Sequence, residues 1–320
     1  MLKIKQLTLP DKYPTDETIN SWGDIHHGYE PESWEACYDL NRYLEHVPQN
    51  VLDARYIDIC KNLRCLTSED RHIIPRQTFL SSWYWFRKEH QTRYEFYLRK
   101  AELPQPPPSD PICKRHVESP IRPQSPNACD ILFRSCEPNY IESLIDRGNL
   151  LVKAASEFDK LEKDKTRKDD ELNRDTFITG NRLRVTTLDG SRSSAGGNYK
   201  STTSCKDYYI FCTAYDFDTD LVKEFGGACA VIKDVDEFAK RLNRAAQEIL
   251  NGWQFFHDRV QYYDPYDNDL SQDIITPIHK DFRFAYQREY RFLWQHSDGA
   301  ETPKIITLDL GCLKDIAERI

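Results

Sequence analysis

Three separate segments of this chain carry side chains that can bind an anion, donate a hydrogen bond or stabilise a positive charge. Arg134 ends an apolar run, Thr213 lies within an aromatic run, and Gln287 and Glu289 begin a third run. A guanidinium binds a diphosphate well, because its planar fork donates parallel hydrogen bonds. A carboxylate beside a ribose stabilises the positive charge that develops when a glycosidic bond breaks. These residues predict one site if the fold brings them together.

The stretch that begins at Gln287 has the alternation of a β-strand. Its residues divide into a charged face and an aromatic face: Glu289, Arg291 and Leu293 against Tyr290, Phe292 and Trp294. Burial of the aromatic face places Glu289 at the mouth of a cleft on the opposite face, with Gln287 projecting from the same side. The alternative is an edge strand with one solvated face, on which Glu289 only pairs with Lys280 or Arg291.

A proline-rich segment separates two regions of the chain. Residues 104–126 hold eight of the seventeen prolines, and an extended connector is expected there because proline fixes φ and removes the backbone donor. Residues 1–103 have helical periodicity and predict a helical domain with a target-binding or regulatory role. Residues 127–320 mix strand-like runs with amphipathic helices, so the predicted fold class is α+β.

Two polar stretches of the second region predict irregular structure. Residues 160–175 mix both signs of charge and predict a solvated helix or a loop. Residues 190–204 are rich in Gly and Ser and predict a flexible, turn-rich insertion. Ser204 ends this insertion and precedes the run that contains Thr213.

The third predicted helix, residues 76–103, carries an aromatic stripe with basic residues beside it. The stripe consists of Phe79, Trp83, Phe86, His90, Tyr94 and Tyr97, and the basic residues are Arg87, Lys88, Arg93, Arg99 and Lys100. Interleaved aromatic and basic residues can form a nucleic-acid platform. The favoured interpretation is a core face that packs against the predicted helices 31–47 and 51–66, with Arg and Lys extending past it.

The composition limits the functional classes. A formal net charge of −8 and a pI near 5.7 give no support for indiscriminate nucleic-acid binding. The sequence has no secretory signal pattern and no run of about 18 apolar residues, so we expect a cytoplasmic protein with no membrane partner. The ten cysteines form no C-x-x-C pair, and adjacent His26 and His27 cannot share a helical face, so no metal site is expected.

Several common catalytic motifs are absent from the sequence, among them the Gly-rich phosphate loop, the Rossmann pattern, G-x-S-x-G and H-E-x-x-H. A nuclease that uses an Asp plus E-x-K on a sheet is a rival carboxylate chemistry. The chain offers Glu289-Tyr290-Arg291 instead, and arginine is a poor replacement for the tunable lysine amine.

The order of the segments ILFR, LLVKAAS, YYIFCTAYD, VQYYDP and KDFRFAYQREYRF resembles a widespread, mostly uncharacterised bacterial domain family. That pattern is similar in turn to the Arg / Ser-Thr-Ser / Q-x-E class of mono-ADP-ribosyltransferases. The resemblance covers about residues 130–310. It implies an ADP-ribosyltransferase-like domain, built on a split antiparallel sheet, that uses NAD as a substrate and no metal.

The resemblance assigns a role to each matching position. Arg134 would grip the NAD phosphates, Glu289 would be the catalytic glutamate, and Gln287 would orient the acceptor. The middle motif has three candidates, of which Thr213 is preferred to Ser204 and Ser156. The aromatic side chains expected to stack on the nicotinamide are Tyr208, Phe211 and Tyr215.

Three hypotheses follow from the sequence. The leading one is an NAD-dependent mono-ADP-ribosyltransferase, a bacterial toxin or defence effector with an unidentified acceptor and a cognate antitoxin or regulator as partner. The second is a catalytically degenerate transferase fold that serves as a binding module. The third is a nuclease or nucleic-acid-binding protein that uses the aromatic and basic face of residues 79–100.

Overall fold

The computed structural model describes residues 31–63, 83–105, 131–158, 170–180, 183–186, 188–190, 192–194, 196–266, 274–296 and 303–320. Most of the predicted connector, 106–126, lies outside the described residues, as do Phe79 and most of the charged stretch, 160–169. The division of the chain into domains at this connector stays a prediction.

Three helices come first along the described chain, and a mixture of strands and helices follows. The helices are α1 (Pro31–Leu40), α2 (Gln49–Leu63), α3 (Trp83–Arg99), α4 (Pro138–Arg147), α5 (Thr219–Glu224) and α6 (Val235–Gln247), with 3-10 turns at Ala155–Glu157 and Phe282–Gln287. The strands are β1 (Leu132–Cys136), β2 (Asn149–Ala154), β3 (Asn173–Thr179), β4 (Arg184–Thr186), β5 (Arg192–Ser194), β6 (Asn198–Ser204), β7 (Tyr209–Ala214), β8 (Ala228–Ile232), β9 (Gln254–Arg259), β10 (Gln261–Tyr263), β11 (His279–Asp281), β12 (Glu289–Gln295), β13 (Ile305–Asp309) and β14 (Ala317–Arg319).

Eight of these strands form one antiparallel sheet. Its order is β13-β2-β7-β1-β8-β14, and β12 pairs with β7 and with β9 beside this path. The main core joins one face of the sheet to α4 and α6, and it includes Phe211, Tyr290 and Phe292. The amphipathic spacing of α6 explains this packing, since its apolar positions recur on one side. The chain is therefore a mixed α+β protein with a large antiparallel sheet, as its sequence predicts at that level.

Strand β7 has a divided edge. On that edge, β2 pairs with Tyr209 and Ile210 near its start, and β1 pairs with Ala214 at its end. Among the described residues, no strand pairs with Phe211 to Thr213 on this edge. The opposite edge of β7 pairs with β12 along its whole length. The divided edge leaves backbone groups and side chains of β7 open to a space between β1 and β2.

Strand β12 confirms the predicted alternation but is not an edge strand. It lies between β7 and β9, and all of its residues from Glu289 to Trp294 are buried. The aromatic face packs into the main core, whereas Leu293 on the charged face packs with Tyr208 and Ile210 in a second cluster. The alternative of an edge strand with one solvated face is therefore wrong, because β12 is paired on both edges and other elements cover both sides of the sheet here.

The two polar stretches are more regular than predicted. Residues 198–204 form strand β6, which pairs with β3 along seven residue pairs, so this part of the Ser-rich stretch is a hairpin arm. At the end of the charged stretch, Glu171 and Arg174 are buried and form an ion pair of 2.9 Å. Burial is tolerated because each charge has a partner of opposite sign.

Helices α1 to α3 share a core with the rest of the protein. Their cluster includes Tyr266, and Phe177 from β3 packs against it. Arg55 on α2 donates two hydrogen bonds, of 2.7 and 2.8 Å, to the buried carboxylate of Asp264. Bidentate pairing of this kind fixes geometry as well as charge. The described helical residues therefore pack as an integral part of the structure.

The buried face of α3 differs from the predicted aromatic stripe. His90 is buried and Tyr94 is half-buried, but Tyr97 is 43% exposed, while Phe96 and Glu95 are fully covered. Glu95 accepts hydrogen bonds from Tyr38, Arg42 and Arg99, at 2.7, 2.9 and 2.6 Å, and these offset the cost of its burial. The side chains of Trp83 and Phe86 lie outside the description.

Three of the five basic residues named beside the aromatic stripe are buried or paired within the protein. Lys88 is 4% exposed, Arg93 lies 3.5 Å from Glu89, and Arg99 lies 2.6 Å from Glu95. A nucleic-acid platform would present these cations to phosphates, but here they are buried or paired with carboxylates. The described part of this helix therefore gives the nucleic-acid interpretation no support.

Asn62 on α2 holds the 3-10 turn that precedes β12. Its side chain is 1% exposed, accepts from the Tyr286 backbone N–H at 2.6 Å and donates to the Arg283 carbonyl at 3.1 Å. We expect Asn62→Ala to lower the free energy of unfolding by about 1–3 kcal/mol, because buried backbone groups lose their partners. Urea denaturation measures this loss, and hydrogen exchange should accelerate at the Tyr286 amide.

Gln49→Ala is the matched control for this prediction. Gln49 makes only exposed side-chain bonds: it donates to Asp53 at 2.7 Å and accepts a long bond from Arg99 at 3.4 Å. Their loss should change the stability by less than about 0.5 kcal/mol. Equal effects of the two substitutions would contradict the role of Asn62.

Candidate functional site

A cavity of about 240 Å³ opens beside the divided edge of β7. Four of the predicted site residues line it, namely Arg134, Thr213, Gln287 and Glu289. Three further charged side chains complete its polar wall: Lys153, Glu171 and Lys280. The split between β1 and β2 thus brings residues from distant parts of the sequence to one place.

Glu289 is the first residue of β12 and is only 5% exposed. Its Oε1 accepts from Arg291 Nε at 2.7 Å and its Oε2 accepts from Lys280 Nζ at 2.8 Å. Burial acts to raise the pKa of Glu289, but the charges of Arg291 and Lys280 outweigh it and hold the pKa well below its usual range. Glu289 is therefore a buried, ionised carboxylate. It pairs with both Lys280 and Arg291, the two partners that the sequence analysis considers.

Gln287 belongs to the 3-10 turn and not to the strand, contrary to the sequence-based expectation. Arg288 between Gln287 and Glu289 has φ of 46°, in the left-handed region. An ion pair of Arg288 with Asp216 and the bond from Tyr215 N–H to the Arg288 carbonyl hold this conformation. Gln287 therefore lines the cavity because of the kink at Arg288, and not because side chains alternate along a strand.

Arg134 lies on β1, facing the divided edge of β7. One of its terminal nitrogens donates to the Cys212 carbonyl at 2.7 Å, and its guanidinium lies 4.9 Å from the centre of the Phe211 ring. Arg134 thereby takes the place of a strand partner that the Cys212 carbonyl lacks. No carboxylate of the described chain pairs with Arg134, including Glu137, the partner weighed in the sequence. A half-buried guanidinium with spare donors suits an anionic ligand.

Of the three hydroxyl candidates, Thr213 alone lines the cavity. Its Oγ1 donates to the Tyr290 carbonyl at 3.2 Å, across the β7–β12 pair. Ser156 donates to Asp207 at 2.6 Å, and exposed Ser204 donates to Asn173 at 2.6 Å. Neither serine contributes to the cavity wall, although Ser135 on β1 does.

Tyr208, Phe211 and Tyr215, which were expected to stack on a ligand, do not line the cavity. Tyr208 is fully buried, and its hydroxyl donates to the Glu171 carbonyl at 3.1 Å. Phe211 points into the main core, which Tyr215 contacts from its margin. The aromatic side chains that do line the cavity are Phe133, Phe158 and Phe225.

Glu171, Lys153 and Lys280 are site residues that the sequence did not indicate. Glu171 comes from the charged stretch and accepts from Arg291 at 2.8 Å. Lys280 lies on β11 and also donates to the amide oxygen of Gln287 at 3.0 Å. Lys153 is half-buried on β2, and no carboxylate of the described chain pairs with it. The sequence offers one signal for Lys280: it is the one lysine in the aromatic segment 280–287.

The paired carboxylates predict a particular response to acid. Burial raises the pKa of Glu171, but Arg291 and Arg174 bring it down to about 2, from 4.5. A pKa that is lower in the folded state stabilises the fold above the ordinary pKa, and this stabilisation disappears as the pH falls towards the folded value. We expect urea stability to fall between about pH 4.5 and 2.

Glu171→Gln supplies the comparison for the pH prediction. The glutamine amide does not titrate, so the stability of this variant should depend less on pH than that of the wild type over the same range. Parallel curves for the wild type and the variant would show that Glu171 is not the group responsible.

No family model, no curated protein and no solved structure matches this chain. In the described part of the chain, no helix combines the length and apolarity that a membrane crossing requires. Within the same residues, no group of three or more His, Cys, Asp or Glu side chains is arranged to hold a metal ion. The site therefore has to be interpreted from its own geometry.

Proposed function

We propose that the protein is an NAD-dependent mono-ADP-ribosyltransferase whose active site is the cavity beside the divided edge of β7. The observation that carries the proposal is that Arg134, Thr213, Gln287 and Glu289 line one cavity although they come from separate segments. A β-strand with two successive partners on one edge also agrees with the split sheet that the resemblance implies.

The residues of the cavity suit the two ends of such a substrate. Arg134 would donate to the diphosphate, because it has spare donors and no described carboxylate partner. Glu289 would accept from the ribose and face the positive charge that develops at the anomeric carbon, while the electron pair of the breaking bond leaves with nicotinamide. Phe133, Phe158 and Phe225 would supply the apolar wall for the nicotinamide ring.

The volume of the cavity limits how much of NAD enters it. At about 240 Å³ it lies below the range of roughly 300–1,000 Å³ typical of pockets that enclose a whole ligand. The nicotinamide ribose would occupy the cavity, with the diphosphate at Arg134 and the adenosine outside. Glu289 and Gln287 would then lie beside the reacting end of the molecule.

One observation favours a second candidate function, a catalytically degenerate fold that binds an anionic ligand. Both oxygens of Glu289 already accept from cations. The cluster of Glu171, Glu289, Lys280, Arg174 and Arg291 therefore has three positive and two negative charges. A carboxylate compensated in this way stabilises a cationic transition state less than a free one does.

Release of nicotinamide from NAD by the purified full-length protein distinguishes the two functions. A transferase releases nicotinamide slowly with water as acceptor and faster when a cell lysate supplies acceptors. If the protein is only a binding module, NAD raises its unfolding temperature and no nicotinamide is released. If the protein neither releases nicotinamide nor gains thermal stability at millimolar NAD, both functions are excluded.

A further inference from the structure

The orientation of the Gln287 amide is fixed by Lys280. The lysine ammonium has only donors, so it can bond only to the oxygen end of the amide. Lys280 donates to Gln287 Oε1 at 3.0 Å and to Glu289 Oε2 at 2.8 Å, which ties the two cavity residues together. The amide nitrogen of Gln287 is consequently turned away from Lys280.

The Gln287 amide nitrogen keeps a spare donor. It has one long contact in the described chain, 3.5 Å to the Tyr286 hydroxyl. An amide NH₂ has two hydrogens, and the residue is only 9% exposed. A buried donor without a partner is costly, whereas a ligand atom with a lone pair would satisfy it. The cavity therefore offers a hydrogen-bond donor where Gln287 borders it.

The unpaired charge around the cavity is positive. Glu171 and Glu289 are bonded to Arg291, and each also lies beside Lys280 or Arg174. In contrast, Arg134 and Lys153 have no carboxylate partner among the described residues. After the diphosphate of NAD has bound at Arg134, the charge of Lys153 and the donor of Gln287 remain. A cationic acceptor would meet repulsion and a blocked amide oxygen.

We propose that the ADP-ribose acceptor is a carboxylate, the side chain of a glutamate or aspartate in a peptide, which accepts a hydrogen bond from the Gln287 amide that Lys280 orients. This inference rests on the proposed transferase function. A carboxylate oxygen attacks the anomeric carbon of the ribose and forms an ester bond. The bond to nicotinamide breaks, and its electron pair neutralises the pyridinium nitrogen. No proton has to be removed, so the step needs no general base.

A peptide acceptor is favoured over a nucleic acid by two observations. The formal net charge of the chain is −8, which repels a polyanion more strongly than it repels a peptide with a single carboxylate. The basic residues Lys88, Arg93 and Arg99 are buried or paired within the helical segment. They do not form a phosphate-binding surface that would guide a nucleic acid to the cavity.

The test uses NAD and short blocked peptides that differ at one position. The peptides carry a single glutamate, glutamine or arginine, and a single-stranded oligonucleotide is a fourth probe. Mass spectrometry measures ADP-ribosylation of each probe, and nicotinamide release is measured in the same reactions. We expect the glutamate peptide to be modified at least about tenfold faster than the arginine peptide, a difference that one charge-assisted hydrogen bond can supply. The product should be cleaved by neutral hydroxylamine, as an ester is.

Two variants test the amide and its orientation. Gln287→Glu keeps the shape but replaces the donor by a carboxylate oxygen, so modification of the glutamate peptide should fall more than nicotinamide release into water. Lys280→Met frees the amide to rotate, so the preference for glutamate over arginine should decrease, and Lys280→Arg should restore part of it. Lys314→Met, which removes an exposed pair with Asp146, is the control that should keep the wild-type preference.

The outcomes separate this inference from the proposed function. Faster modification of the arginine peptide or of the oligonucleotide would overturn the carboxylate acceptor while leaving a transferase. Nicotinamide release without modification of any probe would also overturn it. If the wild type releases no nicotinamide in any reaction, the transferase function itself fails. The wild-type comparison needs no variant, so it stands even if Lys280→Met does not fold.

Discussion

Glu289→Gln should reduce nicotinamide release from NAD by about 100- to 1,000-fold, which is the usual effect of removing one preorganised electrostatic contact. The amide keeps the size of the side chain but removes the charge that would face the developing positive charge on the ribose. Glu289 is 5% exposed and bonded to Lys280 and Arg291. We therefore expect a loss of stability as well, and the release assay needs a control for it.

Asp264→Asn is the matched control for Glu289→Gln. It makes the same change from acid to amide in a buried pair, since Asp264 accepts two bonds from Arg55. Asp264 does not line the candidate site, so its amide variant should lose stability but keep nicotinamide release. If Glu289→Gln releases nicotinamide at the wild-type rate, Glu289 is not catalytic. If both variants lose release equally, the loss reflects unfolding.

Arg291→Met should lower the free energy of unfolding by about 3–5 kcal/mol, because it leaves buried carboxylates without their main cation. Arg291 is fully buried, lies 2.7 Å from Glu289 and 2.8 Å from Glu171, and also donates to the Pro277 carbonyl. Such a loss is a large part of the 5–15 kcal/mol by which proteins are usually stable. Urea denaturation followed by circular dichroism measures it.

Two further variants show whether charge is the cause of this loss. Arg241→Met removes surface pairs of Arg241 with Asp315 and Glu237 and its bond to the Cys312 carbonyl. It should cost clearly less than Arg291→Met, because exposed pairs contribute only about 0–1 kcal/mol each. The double change Glu289→Gln and Arg291→Met removes one buried charge of each sign and leaves Glu171 paired with Arg174 and close to Lys280, so it should recover much of the stability. A double variant less stable than Arg291→Met alone would show that packing and not charge dominates.

The elements around β12 show how far the sequence predicts the fold and the site. The alternation from Glu289 to Trp294 predicts the strand and its aromatic core face correctly, because side-chain direction in a strand is local. The position of Gln287 is not predicted by it, since the left-handed conformation of Arg288 depends on Asp216 and the Tyr215 backbone. Long-range contacts of this kind leave no periodic signal.

The same limit applies to the residues that the sequence analysis missed. Glu171 lies in a stretch of mixed charge that is typical of solvated segments, and only its distant partner Arg291 makes its burial tolerable. On α3, burial of Glu95 depends on Tyr38 and Arg42 from the preceding region. Helical periodicity assigns aromatic residues to a core face, but it carries no information about buried ion networks of this kind.

Asn62 and Arg55 connect the helical segment to the turn and strands that end at the candidate site. If binding in the cavity requires the turn before Glu289 to hold its shape, the two regions are thermodynamically linked. A molecule that strengthens binding in the cavity by stabilising α2 must itself bind α2 more tightly when the cavity is filled, and by the same factor. A molecule that binds α2 and breaks the bond between Asn62 and the Tyr286 backbone would then weaken binding in the cavity without entering it.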